Sequence, residues 1–165
     1  MKKKTLLLTG TTGFIGYKFL SYALKNNFLV IDILRVKNKN NKKIKKLKKF
    51  YPHLYKNIFF TSASDLSKKL KNIKIDYFIN FATLYNNNHT YDQISKFINS
   101  NIMFPSLIYD LINNKTKKII NFGTMMQHST SKLLTSQNFY TATKNAFEMI
   151  SNYYAYKNNK TRFYN

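Results

Sequence analysis

Apolar positions along the chain fall into two alternating kinds of run. One kind is short and continuous: "KTLLLTG" (residues 4–10), "FLVIDILRV" (28–36), "NIFFTSA" (57–63), "IDYFINFAT" (75–83) and "TKKIINFGT" (116–124). Such runs, rich in β-branched and aromatic residues, read as strands covered on both faces. The other kind repeats its apolar residues at helical spacing: "FIGYKFLSYALKNN" (14–27), "DLSKKLKNI" (65–73), "YDQISKFINSNIMFPSLIYDLINN" (91–114) and "NFYTATKNAFEMISNYYAYKNN" (138–159). Pro105 kinks the third of these or opens a new segment. "KTRFYN" (160–165) begins another strand. Strand and helix alternate throughout, which predicts an α/β fold with a mostly parallel sheet and helices on both faces. Right-handed crossovers then leave the doubly wound order 3-2-1-4-5-6. No internal repeat or low-complexity linker interrupts the pattern, so residues 1–165 read as one dinucleotide-binding domain.

Composition narrows the chemistry. A chain of 165 residues suits one domain with a real core. It has no cysteine, which excludes disulfides and thiolate metal sites. His53, His89 and His128 lack a metal-binding spacing, so no metal is expected. "MKKKTLLLTG" starts like a signal peptide, but Gly10 breaks its apolar stretch too early. No run is long enough to span a membrane, and a cytoplasmic location is the expectation.

Lys and Arg number 28 against 6 Asp and Glu, a formal net charge of +22. Alone, that charge suggests a polyanion partner. The 13 Tyr and 14 Phe, with abundant Asn and Ile, match what an AT-rich coding sequence produces. Codon bias then accounts for the lysine, and nucleic acid is not the expected main partner. The densest cluster, "KNKNNKKIKKLKK" (37–49), carries Ile44 and Leu47 at helical spacing and reads as a solvated helix with a thin apolar stripe. Such charge still favours a small ligand bearing phosphate.

"TGTTGFIG" (9–16) lies between the first strand and the first helix, and holds three of the four glycines of the chain. A helix N-terminus presents unpaired N–H groups and the positive end of its dipole. In that setting Gly10 allows the tight turn, Gly13 lets backbone approach a diphosphate, and Gly16 seats the helix against the sheet. At the other end of the chain, "NFYTATKNAFEMI" (138–150) puts Tyr140 and Lys144 four residues apart on one helical face.

Taken together, these stretches resemble the extended short-chain dehydrogenase/reductase family of NAD-dependent epimerases and dehydratases. "TGTTGFIG" resembles its TGxxGFIG signature and "YTATK" its YxxxK. "DYFINFAT" is similar to its fourth strand, "NIMFPSLIYDLI" to its N-x-x-x-(P/T)-x-x-L-L helix, and "NFGTMMQHS" to the fifth strand with its hydroxyl-bearing loop. The nearest texture is that of nucleotide-sugar reductases of the CDP-abequose synthase kind, with the sugar epimerases behind.

The resemblance implies Tyr140 as proton donor and acceptor at a sugar hydroxyl or ketone. A free phenol titrates near 10, and a neighbouring ammonium favours its ionised form. Lys144 would supply that ammonium and bond the nicotinamide ribose. Thr124 would donate to the substrate oxygen, with Ser129 and Thr130 as rivals. Asn101 stands where the family places an asparagine that steadies the helix or a relay water. The cofactor would lie along Gly10, Thr12, Gly13, Phe14, Ile15 and Gly16, with Phe81 and Ala82 beyond the fourth strand, and Asp65 and Leu66 beside the adenine. The resemblance thus implies a nucleotide-activated sugar substrate in nucleotide-deoxysugar and polysaccharide biosynthesis, and leaves a homodimer open.

Two departures refine this. Family 4,6-dehydratases follow the threonine with Asp-Glu; here Met125 and Met126 follow Thr124, which favours a 4-keto reductase or an epimerase. NAD-preferring members end strand two with an acid, whereas the strand pattern puts Leu34 there, followed by Arg35, and favours NADP. A register slip of two would make Asp32 that acid and restore NAD. The chain also stops as a sixth strand begins, so a truncated product without its C-terminal substrate domain, or a cofactor-binding remnant without activity, is the further expectation.

Overall fold

The computed structural model describes residues 3–112, 115–127, 135–157 and 160–164. Its strands are β1 (Thr5–Thr9), β2 (Leu29–Leu34), β3 (Tyr55–Phe59), β4 (Tyr77–Asn80), β5 (Lys118–Asn121) and β6 (Arg162–Tyr164). They form one sheet in the order β3-β2-β1-β4-β5-β6, and every neighbouring pair is parallel. This is the doubly wound arrangement that the alternation of runs predicts. The crevice of such a sheet lies where the strand order reverses, between β1 and β4 at their C-terminal ends.

Helices α1 (Phe14–Lys25) and α2 (Lys42–Phe50) cover one face. Leu20, Ala23 and Leu24 of α1 and Ile44 and Leu47 of α2 pack there on Leu6, Leu8, Val30, Leu34 and Ile79. Against the other face lie α3 (Ala63–Leu70), α5 (Phe104–Ile112) and α6 (Phe139–Lys157), with α4 (Ile94–Ile98) preceding α5 in the chain. Leu66, Leu70, Ile108, Tyr109, Ile112 and Phe147 meet Leu7, Ile31, Ile33, Phe78 and Ile119 there. Each such side chain contributes roughly 1.5–3 kcal/mol by leaving water. In α2 only Ile44 and Leu47 are buried, so its lysine-rich remainder faces solvent.

Local chemistry sets the element ends. Asn27, at φ 60°, closes α1: its N–H bonds Leu24 O, and that of Phe28 bonds Ala23 O. The Asn41 side chain caps α2 by accepting from Ile44 N. Ser62 caps α3 by accepting from Asp65 N. That cap ends the third strand sooner than "NIFFTSA" predicts: β3 spans Tyr55–Phe59, and Ala63 belongs to the helix. α5 opens at Phe104 with Pro105 as its second residue, so the proline stands at the start of a new helical segment, one of the two readings of its place in the run. A π-turn at Asn99–Met103 joins α4 to α5, and the missing proline N–H falls just beyond it.

Candidate active site

The glycine turn shows why only glycine fits at two of its positions. Gly10 has φ +71°, and a Cβ there would stand 2.4 Å from Ala82 N. A Cβ on Gly16 would stand 2.4 Å from Gly10 O, so β1, α1 and the end of β4 interlock. Gly13, the N-cap of α1, differs: its Cβ would meet only Gly10 O at 3.3 Å, with open space beyond. No side chain caps α1, and no acid lies in its first turn. Its leading N–H groups therefore remain available to an anion.

An open cavity of about 700 Å³ lies over this turn. Gly10, Thr12, Gly13, Phe14, Ile15 and Gly16 form one wall, and Leu34, Arg35 and Asn38 extend it past β2. Asn80, Phe81, Ala82, Thr83 and Tyr85 follow β4, while Phe122 and Gly123 follow β5. Tyr140 and Lys144 close the far side. One cavity thus joins the first helix N-terminus to the late tyrosine–lysine pair, although the two lie more than a hundred residues apart in the chain.

Polar contacts hold this floor. The Thr9 hydroxyl donates to Asn80 Oδ1 at 2.6 Å, and Asn80 Nδ2 donates to Asn121 Oδ1 at 3.0 Å, tying β1, β4 and β5 at their C-terminal ends. Phe81 stacks on Phe122 at 4.8 Å. Tyr140 is buried, and the Tyr85 ring meets it edge-on at 4.9 Å. Lys144 is also buried, and its ammonium donates to Phe122 O. Burial pulls the Lys144 amine down to about 8, and Glu148 partly opposes that pull.

Asn101 is 3 % exposed rather than solvent-facing, and all its hydrogen bonds are internal. Its Nδ2 donates to Leu84 O (2.9 Å) and Thr143 Oγ1 (3.0 Å); its Oδ1 accepts from Leu84 N (2.7 Å) and from Thr83. The Thr143 hydroxyl donates in turn to Tyr140 O at 2.7 Å. Asn101 thus fastens the post-β4 loop to the first turn of α6. It braces the cavity wall but does not line it.

Thr124 follows β5 but does not line the cavity; its N–H donates to Gln127 Oε1 at 2.7 Å, and its hydroxyl accepts from Met126 N at 3.4 Å. Ser129, Thr130 and His128 lie outside the described residues. Met125 and Met126 start the 3-10 turn after Thr124.

Two expectations need correction. Asp65 and Leu66 do not reach the cavity. Leu66 is fully buried in the core, and Asp65 accepts from Thr61 N at 3.0 Å and from Lys69 Nζ at 2.8 Å. Both lie on α3, as the helical run from residue 65 predicts, six residues or more past the last residue of β3. Asp32 likewise is no ribose partner. It is fully buried under the glycine turn, where its Oδ2 accepts from the Thr11 hydroxyl (2.6 Å) and the Tyr55 hydroxyl (2.5 Å). The position at the tip of β2 is Leu34, followed by exposed Arg35.

Asn80, Tyr85, Thr11 and Glu148 were not among the sequence candidates. Asn80 ends the fourth-strand run, and a strand-end asparagine beside Phe81 and Ala82 was a readable signal. Tyr85 carried none, since only the folded loop brings it to Tyr140.

Among the described residues no three His, Asp or Glu side chains gather as a metal site, and no helix is long and apolar enough to cross a membrane.

A parallel sheet in this order, with an uncapped glycine turn and a Tyr/Lys helix at one cavity, defines a Rossmann-type fold of the short-chain dehydrogenase/reductase class. The chain belongs to the NAD dependent epimerase/dehydratase family, which matches residues 6–165. It is similar in fold to a short-chain dehydrogenase/reductase from Burkholderia multivorans with bound NADP, at TM-score 0.81 and 16% identity, covering 98% of this chain and 76% of that one. It is also similar to UDP-glucose 4-epimerase from Bifidobacterium longum in complex with NAD+ and UDP, at TM-score 0.81 and 18% identity, covering 97% and 51%. A short-chain dehydrogenase from Sphingobium yanoikuyae in complex with NADPH gives TM-score 0.74 and 17% identity, covering 93% and 65%. The chain therefore spans about half the length of the epimerase. Among curated proteins none matches significantly.

Proposed function

We propose that the cavity binds NADP and that Tyr140 and Lys144 carry the chemistry of a nucleotide-sugar 4-keto reductase. The observation that carries this reading is the shared cavity: α1's free N–H groups and the Tyr140–Lys144 pair line it together. The residues fit a dinucleotide. The first turn of α1 suits its diphosphate, since open space rather than protein faces Gly13. Arg35 lies at the tip of β2 where an acid would meet an unphosphorylated ribose, and it suits a 2′-phosphate. With Asp32 committed to Thr11 and Tyr55, no carboxylate competes at that spot among the described residues.

Bound there, NADP supplies a hydride donor or acceptor at its nicotinamide. Tyr140 holds or releases the proton at the sugar oxygen, with the buried Lys144 cation on the same wall of the cavity. Asn101 keeps the first turn of α6 in place through Thr143. A hydroxyl beyond β5 orients the substrate oxygen; Thr124 is the candidate for that role, with Ser129 and Thr130 as the alternatives. Without Asp-Glu after Thr124 there is no acid–base pair for water elimination, which disfavours a dehydratase. An epimerase of the same family needs the same residues and is the second reading. The Bifidobacterium longum epimerase, solved with UDP, supports a nucleotide-linked sugar as substrate.

The test is reduction of nucleotide-linked 4-keto sugars with NADPH. Tyr140→Phe should lower turnover at least about a hundredfold while NADPH affinity stays within about twofold. Equal turnover in that variant removes the assignment. Arg35→Ala should weaken NADPH roughly tenfold and leave NADH unaffected, as read by cofactor fluorescence; an equal loss for both cofactors would refute the 2′-phosphate contact.

A further inference from the structure

The single glutamate of the chain, Glu148, stands four residues after Lys144 on α6. Its Oε2 accepts from Gln127 Nε2 at 2.7 Å, and Gln127 Oε1 accepts from Thr124 N at 2.7 Å. Lys144 donates to Phe122 O at the other end of the same segment. Successive turns of α6 therefore hold residues 122–127 at two points, one through a cation and one through an anion.

The other carboxylates are engaged elsewhere. Asp32 lies under the glycine turn, and Asp65 and Asp92 pair with Lys69 and Lys96. Asp76 accepts from Thr5 N ahead of β4, and Asp110 of α5 accepts from the Tyr154 hydroxyl. Around Lys144, α6 presents Tyr140 and Glu148 and the post-β5 segment its Phe122 carbonyl, while the Tyr85 ring of the post-β4 loop packs on Tyr140. A lysine buried among such groups sheds its proton unless an anion lies near. Burial already brings Lys144 to about 8, with Glu148 acting against it.

Resting on the cofactor site above, we propose that Glu148 is a positioning residue. Its carboxylate, fixed by Gln127, keeps the buried Lys144 side chain cationic and joins that charge to the segment bearing Thr124.

The test follows Lys144 directly, through the pH titration of its 13Cε shift in the chain without cofactor, and then NADPH affinity against pH. In the wild type the midpoint should lie at about 8. Glu148→Gln should lower it by roughly half to one pH unit, and NADPH affinity at the wild-type midpoint should fall roughly twofold to fivefold with it. Glu148→Asp, which restores the charge, should recover most of the shift. An amide at 148 can still accept from Gln127, so a purely structural tie leaves the midpoint in place, and that result overturns the proposal. Should Glu148→Gln fail to fold, Gln127→Ala decides: it frees the carboxylate and should lower the midpoint, whereas an unchanged midpoint in that variant refutes the role. Absence of NADPH binding by the wild type at every pH would sink the cofactor reading alone, because the 13Cε titration still judges Glu148.

Discussion

Burial lifts the Asp32 carboxyl from its ordinary 3.8 to about 6, because the hydrogen bonds from Thr11 and Tyr55 offset only part of the lost hydration. An acid with a raised folded value binds more protons folded than unfolded. Its stabilising effect is therefore full below about 4 and is lost as pH rises through about 6. The difference amounts to roughly 3 kcal/mol. Asp32→Asn, whose amide oxygen can still accept from both hydroxyls, should flatten the stability profile between pH 4 and pH 6. Urea unfolding at the two ends checks this, and a slope equal to wild type would contradict it. At this scale the sequence was legible where a spacing carried chemistry: Gly10, Gly16, Tyr140 and Lys144 all line the cavity. It was silent where a contact needs the fold. Asp32 on a strand looks the same in letters whether it faces a ribose or a buried tyrosine, and nothing adjacent to Glu148 announces Gln127.

A helix cap explains the one strand end that the pattern overran. Ser62 accepts from Asp65 N and so draws Ala63 into α3; propensity alone let the third strand run on. Asp65 and Leu66 are helical both in the pattern and in the structure; what the pattern did not show is that Leu66 turns into the core and Asp65 pairs with Lys69. Pro105 shows the reverse case. Its missing N–H was visible, but the π-turn before it was not: Asn101 within that turn accepts from Leu84 N and donates to Thr143 Oγ1, contacts that only the fold supplies. The α1 terminus offers a stabilising change. Asn27 sits at φ 60°, where a Cβ costs energy and glycine pays less. Asn27→Gly should raise the unfolding free energy by roughly 0.5 kcal/mol, read as a higher urea midpoint at constant slope. A lower midpoint would show that the Asn27 side chain does more than tolerate its backbone.

The topology was the most legible feature, because hydrophobic period and crossover handedness act over whole segments and average out local errors. Net charge acts at the same scale. At +22, with α2 lysines on the surface, the folded chain repels itself. Raising salt from about 0.02 M to about 0.5 M should raise its melting temperature, since the Debye length shrinks to a few ångströms; a melting temperature that stays level would mean local pairs already neutralise the field.

The Gly10 carbonyl occupies the room that any side chain on Gly16 would need, and Gly10 itself presses on Ala82. First strand, first helix and fourth-strand tip are keyed together like the parts of a lock. Under the proposed function, the receptor for an anion is thus assembled when the chain folds, and docking there loses little further freedom. On that reading, discrimination among ligands falls to the rim, where Arg35 and Tyr85 line the cavity outside the keyed joint.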